Sequence, residues 1–203
     1  PAADQAVAGL GEQVHDCPEL RQRINRVFDD NHAVRNSAST KLQQIRRSLR
    51  NLETRLRRQL ETLLVNPDYN SVLQEKFIAT RNDRFVVPVR RELKSRLPGV
   101  VHDQSNSGRT LFIEPQITVE AGNELATLRL QERDEIHRIF TELSRDVRSQ
   151  GEALQKTANA LCRYDLVFAA SHWAADYQCD YPKRSQNLRL YNARHPLLQQ
   201  QFR

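Results

Sequence analysis

Methionine is absent from all 203 residues, and the chain opens on Pro1. Translation begins on Met, so the sequence reads as a piece of a longer protein. Glycine and proline are scarce, at 6 and 8, which excludes collagen and Gly/Pro-rich disorder. Hydrophobic residues make up only 38%, below the ~45–50% usual once Gly is counted. That argues against one large compact core and for an elongated shape with much solvated surface. No apolar run approaches the ~18 residues of a membrane-spanning helix, and no signal or transit segment is visible. The cysteines are Cys17, Cys162 and Cys179. An odd, widely spaced set without a C-x-x-C pair is neither a disulfide framework nor a zinc site. Free thiols in a reducing cytosol are the reading, so the chain is expected to be cytoplasmic. No Gly is followed by Lys, so a P-loop is excluded, as are H-E-x-x-H and EF-hand patterns.

What the sequence does have is unevenly placed positive charge. Lys and Arg total 31 against 25 Asp and Glu, a net +6. Residues 39–65 carry seven basic side chains against Glu53 and Glu61, and residues 76–113 carry eight against Asp83, Glu92 and Asp103. Residues 121–180 are acidic by contrast, with ten acids against seven bases. Two adjacent basic segments point to a polyanion partner; the alternative is a solvated face that keeps the chain soluble. Arginine outnumbers lysine 26 to 5, which suits bidentate phosphate recognition and equally a high-GC genome.

Apolar spacing predicts the elements. Pro18 opens a helix carrying Leu20, Ile24, Val27 and Phe28, which Asp29–Asp30–Asn31 breaks. A second helix starts near Ser37–Ser39, where hydroxyls can cap it. Its Leu42, Ile45, Leu49, Leu52, Leu56, Leu60 and Leu63 form a near-heptad seam that ends at Asn66–Pro67. Four short strands follow: Phe77–Thr80, Arg84–Arg90, Val100–Asp103 and Thr110–Glu114. Asn82–Asp83 is a hairpin turn, Pro98–Gly99 a type II turn, and Ser105–Gly108 a loop. Pro88 implies an edge strand. From Gln116 to Tyr181 there is no proline. A second seam runs through Leu125, Leu128, Ile136, Ile139, Leu143, Val147, Leu154, Ala158, Leu161 and Phe168. One very long helix, or two joined near Gly151, would reach roughly 75–90 Å. No globular core is that thick, so the helix must lie along the first seam, antiparallel, with the sheet at the turn. The fold class is mainly α: long antiparallel helices, a small antiparallel β insertion at the tip and a helical core. Two unrelated helices in a compact bundle are the alternative. The expected organisation is residues 1–75, then an insertion at 76–118, then a return helix at 119–203.

Catalytic chemistry is hard to find. His102–Asp103 with Ser105 and Ser107 invites a triad reading. Neighbours in an extended strand point to opposite faces, so hydrogen bonding that fixes the 104–109 loop is the better role. Asp29–Asp30 and Asp134–Glu135 lie on polar stretches without a matching His cluster. Phe168 and Trp173 follow the helical spacing and read as core, while Tyr177 and Tyr181 are open. Phe85 and Phe112 fit strand packing better than base stacking.

Four strings, in this order and spacing, resemble one family. They are SASTKLQQIRRSL (37–49), RNDRFVVPVR (81–90), GVVHDQSNSGRTLFIEPQ (99–116) and NARHPLL (192–198). The family is the second bacterial MutS type, MutS-II. The resemblance implies the core, lever and clamp region of a homodimeric protein that binds branched or recombination-intermediate DNA and suppresses recombination. An ATPase domain using ATP and magnesium, and a Smr nuclease domain, would lie outside this stretch; no cofactor is expected within it. On this reading the region is a non-catalytic DNA binder. Arg81, Arg84, Arg90, Arg91, Lys94, Arg96 and Arg109 are the expected phosphate contacts, reading shape rather than sequence. His195 and Pro196 would border a nucleotide only in the intact protein. A ribosome-docking module meeting rRNA and a purely structural lever are the alternatives; no membrane is expected. The family usually has small residues at Asn106 and Arg109 and an Asn at Gly122. Arg109 would add phosphate contact, and Gly122 would loosen the long helix.

Overall fold

The computed structural model describes residues 8–180 and 185–191, together with Ala193, His195 and Leu198. It divides into two units, one of Pro1–Cys17 with Val147–Arg203 and one of Pro18–Asp146.

The second unit holds the sheet and most of the core. Helix α1 (Pro18–Val27) buries Leu20 and Val27. The Asp29 side chain ends it by accepting from the backbone N–H groups of Asn31 and Ala33, both at 2.9 Å, while His32 takes a left-handed φ of 61°. Helix α2 (Thr40–Val65) follows, capped by Ser39, whose hydroxyl accepts from Leu42 N–H at 2.9 Å. All seven seam residues of α2 are buried, and Leu64 with them. Helix α3 (Gln116–Ser149) is the return element. Ile45, Leu49, Leu52 and Leu56 of α2 pack with Ala121 and Leu125 of α3 in one cluster.

Polar ties set the register. Ser39 donates to Glu135 at 2.7 Å, Arg46 to Glu132 at 2.6 Å, and Arg129 to Glu53 at 3.1 Å. Rising numbers on α2 meet falling numbers on α3, so the pair is antiparallel as expected.

Between the helices sit four strands: β1 (Ala79–Arg81), β2 (Arg84–Arg90), β3 (Gly99–Gln104) and β4 (Thr110–Pro115). They form one antiparallel sheet in the order β1-β2-β4-β3. Asn82 and Asp83, at φ 49° and 60°, give the β1–β2 turn the twist that suits a tight hairpin. The sheet rests on the end of α2, where Leu60, Leu63 and Leu64 share a core with Val87, Val89, Leu111 and Ile113.

Two turn-chemistry expectations are corrected. β2 is an interior strand, not an edge. Pro88 lies past the end of β1 and pairs with Phe112 on one side. On its other side Gln74 N–H donates to the Pro88 carbonyl and Arg90 N–H to Val72, both at 2.9 Å. Alternation puts the proline nitrogen on that second side, where no ladder bond needs it. Pro98–Gly99 is not a type II turn: Gly99 is the first residue of β3, paired with Pro115, and has no positive φ. A Cβ there would collide with the Glu114 backbone and the Ile113 side chain, so close strand approach is what requires glycine.

Beyond Leu143 the second seam departs from expectation. The helix breaks at Gln150 (φ −98°, ψ 9°), and α4 (Gly151–Asp176) begins at Gly151, the expected joint. Within α4 only Ala160 is buried. Leu161, Phe168 and Trp173 are 54%, 55% and 45% exposed, so the reading of Phe168 and Trp173 as core is wrong for the described residues. Helical spacing marks a face, and no described element covers this one. The two rings instead meet neighbours close in sequence in tilted contacts, Phe168 with His172 and Trp173 with Tyr177. Tyr181 lies outside the described residues.

The reading of Glu135 as part of a polar stretch is also corrected. It occupies the seam between Leu128 and Ile139 and is 1% exposed. Arg138 donates to it at 2.6 and 3.1 Å, Ser39 at 2.7 Å, and Lys41 stands 3.6 Å away. These partners, Arg138 first, hold its carboxyl down to about 2 from 4.5 although burial pushes the other way.

Two outcomes follow. Leu56→Ala empties a site that is 1% exposed; it should cost about 2–5 kcal/mol, read as a lower urea midpoint. Glu135 has a depressed folded pKa, so its contribution is complete above pH 4.5 and disappears as pH falls through about 2. Stability of the wild type should therefore drop across that window, and Glu135→Gln should flatten that part of the profile.

Candidate nucleic-acid interface

The seven basic residues expected to meet phosphate divide into two groups. Arg81, Arg84 and Arg91 are engaged within the protein. The Arg81 guanidinium lies 4.4 Å from the Phe112 ring centroid and 3.0 Å from the Asp103 carboxylate. Arg91 donates to the Gly108 carbonyl at 3.3 Å. Arg84 is the most committed: it donates to Asn123 at 2.7 Å and to Glu114 at 3.3 Å.

Glu114 is 3% exposed and also meets His102 Nε2 at 2.7 Å. A buried carboxylate is costly unless paired and hydrogen-bonded, and this one has a partner on each oxygen. Gly122 makes the room, since a Cβ there would collide with Glu114 Oε1 and stand 2.8 Å from Arg84 Nη1. Its role is thus to admit the pair rather than to loosen the helix. His102 sits at a bulge between Val101 and Asp103. His102 turns to Glu114 and Asp103 to Arg81, so the triad geometry is absent. Of the 104–109 loop Asp103 holds only the first residue, accepting from Gln104 N–H at 2.8 Å. That loop is held by Ser105, which accepts from Thr110 N–H at 3.2 Å, and by Gly108 at φ +67°. Phe85, read as a packing residue, touches both apolar clusters, with Arg57 over its ring at 5.5 Å.

Arg90, Lys94, Arg96 and Arg109 form the second group. All are exposed, and none has a side-chain hydrogen bond or ion pair among the described residues. Three adjacent segments carry them: the end of β2, the 3-10 helix Arg91–Arg96, and the loop before β4. Arg91 N–H donates to the Arg109 carbonyl at 3.0 Å and ties helix to loop. Leu97, 2% exposed, and the partly buried Leu93 anchor the helix on the sheet core. Fixed backbone with unpaired cationic heads is the arrangement that phosphate oxygens complement.

The nucleotide expectation for His195 and Pro196 concerns the intact protein and not this segment alone. His195 is exposed, Pro196 lies outside the described residues, and the sequence has no P-loop. Among the described residues no three His, Cys, Asp or Glu side chains are grouped to hold a metal ion, and no helix is long and apolar enough to cross a membrane.

Sequence reading missed Glu114 and Glu135 as buried anchors. Glu135 stands at the heptad step from Leu128, and Glu114 interrupts the apolar run Leu111–Ile113 beside Pro115. An acid on an apolar periodicity was the available signal.

No protein-family model matches the chain. Curated relatives do. It is 40% identical over 196 residues to the Endonuclease MutS2 of Geobacillus sp. (strain WCH70), covering 96% of the chain and 25% of that protein. It is 42% identical over 188 residues to the protein of that name from Geobacillus kaustophilus, at 92% and 24% coverage. For the Exiguobacterium sibiricum protein the identity is 38% over 200 residues, at 98% and 25%. These matches make the chain a segment of the MutS family. Within that family the chain belongs to the MutS2 branch, and it spans about a quarter of the length of the curated relatives it matches.

Gly122→Ala tests the Glu114 anchor. Alanine should gain roughly 0.5–1 kcal/mol of helix preference. Displacing a charged hydrogen bond costs roughly 1.5–3 kcal/mol. The expected result is a net loss of about 1 kcal/mol in urea unfolding; a gain in stability would show that Arg84 and Glu114 yield freely.

Proposed function

We propose that this chain is a non-catalytic DNA-binding region of its MutS2 protein, gripping branched or duplex DNA by its phosphates. The observation that carries the reading is the set Arg90, Lys94, Arg96 and Arg109, four exposed cations without side-chain partners among the described residues, on adjoining segments at one end of the sheet. The segment 76–118 is then the clamp-like insertion, and the helices before and after it are the levers that carry it. Arg81, Arg84 and Arg91, each tied to a neighbouring group of the chain, brace the surface.

In the intact protein we assign this grip to a homodimer that suppresses recombination. Turnover of ATP, and the endonuclease activity in the relatives' name, belong on this reading to parts outside the segment. A single arm lacks the second grip of a dimer, so its own affinity is modest.

The experiment is anisotropy titration of the 203-residue chain with labelled four-way-junction and duplex DNA between about 50 and 200 mM salt. Replacing Arg90, Lys94, Arg96 and Arg109 with Gln should weaken binding at least ~10-fold at the lowest salt. It should also lower the slope of log affinity against log salt by roughly 3–4, since each lost phosphate contact removes ~0.9. Equal affinity of the variant and the parent chain would refute the assignment.

A further inference from the structure

We infer that the outward face of α2 is a second duplex-DNA surface, along the helix rather than at the sheet. This rests on the DNA-binding reading above and extends it to residues that carry none of the contacts proposed there. Arg47, Arg50, Arg55 and Arg58 are all exposed. At 3.6 residues per turn they fall within an arc of roughly 140°, centred opposite the leucine seam, and span about 16 Å of helix.

Three features separate this face from an ordinary solvated one. The first is missing compensation. A solvated helix face ordinarily intersperses acids at i,i+4, as α4 does with Glu152 and Lys156 at 2.7 Å. Between Arg47 and Arg58 the only acid is Glu53, which Arg129 of α3 already holds at 3.1 Å; Glu61, three residues past Arg58, is the one further acid of α2 and makes no ion pair with the stripe among the described residues. Arg47 with Arg50, and Arg55 with Arg58, are like charges at i,i+3, a pairing that opposes the helix unless an anion neutralises it. The second is what lies between the arginines. Asn51 and Thr54 join Arg55 and Arg58 in lining a shallow depression along the face, so neutral hydrogen-bonding groups alternate with cations. The third is the absence of rings: residues 40–65 contain no Phe, Tyr or Trp. Single-stranded nucleic acid is gripped by stacking bases on aromatic side chains; a straight row of guanidinium groups instead suits the continuous backbone of a duplex.

The face stays rigid for the same reason it stays free. The opposite side of α2 is buried throughout, so the arginine backbone is fixed while the side chains face solvent.

The test compares the 203-residue parent chain with three multiple variants and two single ones by anisotropy on duplex DNA across the salt range used above. The stripe variant carries Arg47→Gln, Arg50→Gln, Arg55→Gln and Arg58→Gln. The sheet variant is the one described above. The control loses equal charge from the acid-rich helices through Arg133→Gln, Arg145→Gln, Arg148→Gln and Arg163→Gln. The stripe variant should bind at least ~10-fold more weakly at low salt, with a salt slope lower by roughly 3–4, and the control should change little. Arg47→Gln and Arg58→Gln singly should each remove about 0.9 of slope, and far-ultraviolet circular dichroism should match the parent. A stripe variant with parental affinity beside a weakened sheet variant would overturn this inference and leave the DNA-binding reading standing. Equal losses in stripe and control would overturn it as an effect of net charge alone. Loss of affinity for an RNA duplex without loss for DNA would overturn the choice of ligand. A parent chain that binds no duplex at low salt would overturn both readings together.

Discussion

The leucine seam of α2 is the constraint on which the second unit depends. Ile45, Leu49, Leu52 and Leu56 pack on α3, and Leu60, Leu63 and Leu64 form the floor of the sheet. A helix in water draws most of its stability from packing of its apolar face, and each fully buried leucine contributes roughly 1.5–3 kcal/mol. The seam therefore makes α2 a helix, holds α3 beside it and gives a four-stranded insertion something to rest on. Apolar burial is non-directional, so it cannot choose a register alone. Three polar ties do so, Ser39 to Glu135, Arg46 to Glu132 and Arg129 to Glu53. The first also caps α2, since the Ser39 hydroxyl donates to Glu135 and accepts from Leu42 N–H.

Much of this was legible because it depends on spacing. The run from Leu42 to Leu63 marks a buried stripe whatever the partner, and the turn at Asn82–Asp83 is set by residues that tolerate positive φ. The misreadings share a physical cause. Pro88 reports that one N–H is missing, not that a strand is at an edge, and an interior strand offers such a position where its neighbour ends. Gly99 reports that a Cβ will not fit, which a close strand meets as well as a turn does. Phe168 and Trp173 mark an apolar face, but a face is core only where something covers it.

The candidate site was legible as a charged segment but not as a set of side chains. Counting charge treats Arg84 and Arg90 alike, though they lie six positions apart in one strand. Arg84 is spent on Glu114 and Asn123, and Arg90 has no such partner. What separates them is a carboxylate brought in by β4 and a glycine brought in by α3, and neither can be seen from β2 alone. The comparisons add the family and leave this division of labour to the geometry.

That division changes what the net charge means. Glu114, Glu132 and Glu135 are among the better-shielded acids of the second unit, and each neutralises an arginine at a packing surface. An acid held this way cancels a cation in the total charge but does nothing to the field outside, because the pair is screened as a unit within the fold. The exposed arginines of α2 and of the sheet end face solvent without such partners among the described residues. Such pairs add nothing to the net +6, so the excess a polyanion would meet is carried by the exposed, unpaired cations. The ion pairs that build the second unit and the cations that would grip DNA are drawn from one arginine-rich composition. Burial of the acids keeps the two uses apart.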